Sequence, residues 1–74
     1  MSRLIRMDST GHSTLAEWST GDAAAEEAAV VAFRAQLDRG YIGVVSEGEG
    51  RATQVDQLPV EADLVIMRRP IAGG

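Results

Sequence analysis

From Ala23 to Arg39 the chain runs without Pro or Gly and is rich in Ala, and no other stretch of the 74 residues has this character. Ala29, Val30, Phe33 and Leu37 recur at helical spacing and make one apolar stripe. Thr20-Gly21-Asp22 offers N-cap residues, and Glu26 and Glu27 place negative charge near the start, where the helix dipole favours it. Arg34 and Arg39 lie towards the other end, and Gly40 is placed to take the left-handed C′ position. The spacing predicts a helix over 22–39. One amphipathic helix has one stripe to bury, and the only other elements here are short β-prone segments. The helix must therefore cover one face of a sheet.

The sheet can be read strand by strand. Arg3 to Met7 is the first strand, with Ile5 and Met7 on one face and Leu4 and Arg6 on the other. Asp8-Ser9-Thr10-Gly11-His12 supplies a turn. Ser13 to Ser19 returns as the second strand, with Thr14, Ala16 and Trp18 on one side and Leu15 and Glu17 on the other. Tyr41 to Ser46 follows the helix, with Ile42 and Val44 alternating against Tyr41 and Val45. Gly43 is expected to weaken that strand slightly. Glu47-Gly48-Glu49-Gly50 is a turn signal and Arg51 to Val55 a short return strand. Pro59 marks a connection. Ala62 to Arg68 is the last strand, and its Leu64-Val65-Ile66-Met67 run is apolar on both faces, as a central strand requires. The predicted order is β-β-α-β-β-β, an α+β fold with a mixed sheet. The helical crossover allows the last strand to lie parallel to the first.

Charge and composition remove several function classes. The net charge is −4, and all seven basic residues are Arg. Nucleic-acid binding rests on a dense cationic surface, so no nucleic-acid partner is expected. The absence of Cys excludes a disulfide framework, a thiolate metal site and a cysteine nucleophile within this chain. With no Lys, the chain offers no side-chain amine to accept an isopeptide bond. Met1-Ser2-Arg3-Leu4-Ile5-Arg6 lacks the apolar run of a signal peptide, and no stretch approaches the roughly 20 apolar residues of a membrane span. A cytoplasmic location and no membrane partner are expected. A chain this short hides only about 60% of its unfolded surface, and it has little room for an enclosed active site. A carrier or binding module is expected before an enzyme.

The element order, the length and the terminal Gly73-Gly74 together resemble the ubiquitin-like (β-grasp) superfamily. The closing segment Leu64-Val65-Ile66-Met67-Arg68-Arg69-Pro70-Ile71-Ala72-Gly73-Gly74 is most similar to that of the sulfur-carrier proteins of molybdopterin and thiamine synthesis. Those chains commonly close with a hydrophobic strand and then Pro-Val-Ala-Gly-Gly. Arg68 and Arg69 echo the Arg-bearing end of ubiquitin more weakly. The resemblance implies a β-grasp domain over 1–69 and a flexible tail over 70–74. It also implies a protein substrate with no bound cofactor. A partner activating enzyme would adenylate Gly74 using ATP and Mg²⁺. Sulfur-transfer partners, or ligase and peptidase partners, would follow. Sulfur transfer through a thiocarboxylate and conjugation to a target amine both remain open.

Elementary chemistry suits the tail to that role. A terminal carboxylate is ionised at neutral pH and is a poor electrophile, so it needs activation. Gly74 would be the reacting residue, and Gly73, without a Cβ, would give clearance in a narrow channel. Ala72 and Ile71 would line that channel, and Pro70 would stiffen the exit. Five extended residues reach about 16 Å at roughly 3.3 Å each.

Other residues carry weaker signals. His12 is the only His and has no triad or metal-ligand spacing around it, so it reads as a solvated turn residue. Glu47 and Glu49 are too few oxygen ligands for Ca²⁺ or Mg²⁺. Gly48 and Gly50 make no phosphate loop, since no Lys follows. Trp18 and Tyr41 are either recognition aromatics or core residues. The competing readings are a non-covalent interaction module with an idle tail and a small subunit of a larger assembly.

Overall fold

The computed structural model describes residues 1–46 and 50–69. Among them run β1 (Ser2–Asp8), β2 (Gly11–Trp18), α1 (Ala23–Asp38), β3 (Ile42–Ser46), β4 (Ala52–Val55) and β5 (Leu64–Arg68). The strands form one mixed sheet in the order β2-β1-β5-β3-β4. β5 lies parallel to β1 and antiparallel to β3. The apolar run of Leu64 to Met67 does sit in a central strand, but only Val65 and Met67 are buried under the helix, while Leu64 and Ile66 lie on the opposite face and are only partly covered. The helix packs across one face. This is an α+β architecture compatible with a β-grasp. Pro70 to Gly74 and Glu47-Gly48-Glu49 lie outside the described residues.

The helix is set by its ends. Asp22 is the N-cap, and its Oδ1 accepts from the Ala25 amide at 3.2 Å. Glu26 reaches back to accept from the Gly21 amide at 2.9 Å, so one orphan helix donor is capped by Asp22 and the incoming turn is tied to the first turn of the helix by Glu26. At the far end the Gly40 amide donates to the Leu37 carbonyl and the Tyr41 amide to the Gln36 carbonyl. This is a Schellman closure, and it requires the left-handed φ of +92° that Gly40 adopts. Arg39 is the C-cap residue, and the last turn itself holds no basic residue. The expected pairing of Arg34 and Arg39 with the dipole therefore reduces to a capping position and a residue one turn too early.

Leu4, Trp18, Ala29, Phe33, Val45, Val65 and Met67 form the core between helix and sheet. Leu4, Val65 and Met67 are fully buried. Three expectations change. First, the register of β1 on β2 shifts between Leu4 and Ile5: Leu4 faces Ala16, but Ile5 faces Thr14. A bulge at Leu15 inverts the alternation. Thr14 therefore shares the open face with Ile5, not the helix face with Ala16 and Trp18, while Leu15 packs against the core. Second, Gly43 is more than a weak point of β3. A Cβ there would come within 2.5 Å of Phe33 Cε1, so the bare backbone is what lets the Phe33 ring seat on the sheet. Third, Gln36 joins Ala29 and Phe33 as a buried helix residue, whereas Val30 and Leu37 are only partly covered.

No helix among the described residues is long and apolar enough to cross a membrane.

Candidate functional site

The last described residues bring the chain to one end of the sheet. Arg68 closes β5 opposite Ile42, and Arg69 follows it. In the parallel pairing Arg6 stands opposite Met67. Alternation from fully buried Leu4 then puts Arg6 on the helix-covered face. Tyr41 enters the same corner from the end of α1, its amide fixed to the Gln36 carbonyl at 3.0 Å. The Arg6 Cζ lies 5.8 Å and the Arg69 Cζ 5.1 Å from the centre of the Tyr41 ring. Both distances are within the range of cation–π attraction.

Beside this corner Met7, Asp8, Arg68 and Arg69 line an open cleft of about 390 Å³. Asp8 is the carboxylate in it, and it is turned to its own hairpin. Its Oδ1 accepts from the Thr10 amide at 2.9 Å and the Thr10 hydroxyl at 2.7 Å. Those Thr10 hydrogen bonds, the side-chain one first and the nearby Arg6 charge less, hold the Asp8 carboxyl below its ordinary value. A second cleft of about 260 Å³ lies between α1 and the β4–β5 connection, lined by Val30, Phe33, Arg34, Gln57 and Leu58.

The sequence-predicted site residues Pro70, Ile71, Ala72, Gly73 and Gly74 lie outside the described residues, so the structure presents only their root at Arg68 and Arg69. The two aromatics separate. Trp18 is 2% exposed and its Nε1 donates to the Val60 carbonyl at 2.9 Å, which makes it core. Tyr41 is half-buried, with two guanidiniums close to its ring. His12 is exposed on β2 opposite Met7. Among the described residues no three His, Asp or Glu side chains converge to hold a metal ion.

Sequence reasoning missed Arg6 and Gln36. The signals were present: Arg6 alternates with Leu4 onto a core face, and Gln36 falls three residues after Phe33 and seven after Ala29. A polar residue on an apolar face is the informative kind of exception. No protein-family model, curated protein or solved structure matches this chain.

Proposed function

We propose that the chain is a ubiquitin-like β-grasp carrier or modifier, a protein substrate whose Gly74 is adenylated by a partner activating enzyme using ATP and Mg²⁺. The terminal carboxylate attacks the α-phosphorus of ATP and pyrophosphate leaves. A sulfur donor or an enzyme thiolate then displaces AMP, leading to a thiocarboxylate or to a thioester that passes to a target amine. The observation that carries this reading is the position of β5. The last described strand is central and parallel to β1, so its end and Arg69 stand beside an open cleft at one end of the sheet. With the Gly73-Gly74 ending, that placement suits a terminus handed to another protein.

The test is intact-mass spectrometry after incubation with ATP, Mg²⁺ and an activating enzyme from the same genome. The full chain should gain the mass of an adenylate or of a sulfur-for-oxygen exchange. The chain lacking Gly74 should gain neither while melting at the same temperature. Adduct formation that survives the deletion sinks the proposal.

A second reading, a non-covalent interaction module, is favoured by the open face of the sheet. There Ile42, Val44, Leu64 and Ile66 stay half-exposed with no element across them among the described residues. It predicts partner capture that is indifferent to the loss of Gly74.

A further inference from the structure

We propose that the corner formed by Arg6, Tyr41 and Arg69 docks a carboxylate side chain from a short acidic segment of a protein partner. The inference goes beyond activation of Gly74 and is read by binding alone.

Three of the seven basic residues gather here, Arg6, Arg68 and Arg69, in a chain of net charge −4. Two of them share a single Tyr41 ring, at 5.8 and 5.1 Å. The ring's negative faces attract each cation, but the two cations repel each other. An anion docked beside these guanidiniums would lower that repulsion.

The chain does not supply that anion from its described residues. Their one ion pair joins Arg3 and Glu17 at 3.4 Å. Arg3 is opposite Leu64 at the start of β5, at the other end of the sheet from Arg68. Asp8 beside the corner feels the Arg6 charge but makes no ion pair with it, and its Oδ1 is engaged with Thr10. The carbonyls of Gln36 and Leu37 at the helix end are taken by the Tyr41 and Gly40 amides.

Arg6 is only partly closed off by the fold. Arg6 Nε is sealed from solvent and has no hydrogen-bond partner among the described residues, and Gln36 Oε1 is in the same condition. A buried donor without an acceptor is costly, so such groups are normally satisfied. The sealed Nε is closed to an outside ligand, so an acceptor from a partner would meet the terminal nitrogens of the Arg6 guanidinium instead.

The ligand class follows from the surroundings. Guanidinium forks match planar carboxylates in paired hydrogen bonds. The cleft alongside is open, and its Met7 wall is 47% exposed and apolar. That combination suits a peptide with an acidic residue next to an aliphatic one. The overall negative charge repels a long polyanion such as nucleic acid.

The experiment titrates the full chain with an N-acetylated, C-amidated peptide of alternating glutamate and leucine. Binding is followed by two-dimensional NMR of the backbone amides and arginine Nε–H groups. Expected are saturable shifts at Arg6, Tyr41 and Arg69, weakening with salt. Affinity should fall about tenfold or more in Arg69→Gln, as it does when one partner of a desolvated charge pair is removed. Arg3→Gln, at the other end, should bind unchanged. Arg69 is exposed, so its variant should fold, and the amide spectrum shows whether it does. Four results would overturn the proposal. They are equal binding of the glutamine-leucine peptide, equal binding of inorganic phosphate, unchanged affinity in Arg69→Gln, and tighter peptide binding after deletion of residues 70–74. The last would show that the chain's own terminus fills the corner.

Discussion

Trp18 and Tyr41 stand at opposite ends of the same sheet, and their surroundings differ in kind. Trp18 is buried in the core cluster that also holds Leu4 and Phe33, and its indole donor is satisfied by the Val60 carbonyl. Tyr41 is half-buried, and the two guanidiniums over its ring have no ion-pair partner among the described residues. Size and aromaticity do not separate the two residues; the state of the polar groups around them does. Where every donor has found an acceptor inside the chain, the aromatic is structural. Where donors are left over, the corner has something to offer a partner.

Substitution should make this contrast measurable. Trp18→Ala removes a fully packed side chain and leaves the Val60 carbonyl without its donor. The expected cost is about 3–5 kcal/mol, as large as the roughly 3–5 kcal/mol that a core of this size supplies. Circular dichroism should show a chain that is largely unfolded at 37 °C; a cooperative melt near the parent temperature would contradict the assignment of Trp18 to the core.

Gly43→Ala comes next. The new Cβ meets the Phe33 ring, which is 1% exposed and has little room to turn. Urea denaturation should show a loss of about 1–3 kcal/mol, the range for overpacking. In the Phe33→Leu background the same change should cost less, and a coupling near zero would show that the two residues do not compete for space.

Tyr41→Leu should be milder. It keeps apolar bulk but removes the ring face, so the stability change should stay within about 1–2 kcal/mol, while the arginine Nε–H resonances of Arg6 and Arg69 move. If they do not move, the ring does not hold the guanidiniums in solution.

The smallest effect belongs to Asp8, which lies next to this corner but is turned to its own hairpin. Its carboxyl is held below its ordinary value by the Thr10 hydrogen bonds. A lowered folded-state pKa adds stability above the unfolded value of about 3.9. That contribution is lost as pH falls through the folded value. Asp8→Asn should therefore melt lower than the parent at neutral pH, and the gap should close on acidification below about pH 4. A gap that stays constant with pH would show that the charged carboxylate is not what holds the Thr10 turn.

Much of the architecture was legible residue by residue. Asp22, Glu26 and Gly40 announced both helix ends because capping is local: the donors and acceptors involved lie within a few residues of one another. The apolar run of Leu64 to Met67 announced a central strand, and β5 is central, although only its Val65 and Met67 face is buried. Thr14 was misplaced because a bulge at Leu15 shifts one strand against its neighbour, and nothing within β2 itself encodes that shift. Gly43 was misread because its role depends on Phe33, ten positions away and in another layer. The tail residues Pro70 to Gly74 were singled out by their own chemistry, and that reading still rests on the sequence.

The order of elements, the helix caps and the Gly73-Gly74 ending are properties of the sequence, because each depends on neighbours along the chain or on a simple period. The pairing of Phe33 with a bare backbone, the separation of Trp18 from Tyr41, and the meeting of Arg6 with Arg69 were decided only by the tertiary structure. Arg6 and Arg69 lie at nearly opposite ends of the chain. They meet because a helical crossover lays β5 parallel to β1, so that both strands finish at the same end of the sheet.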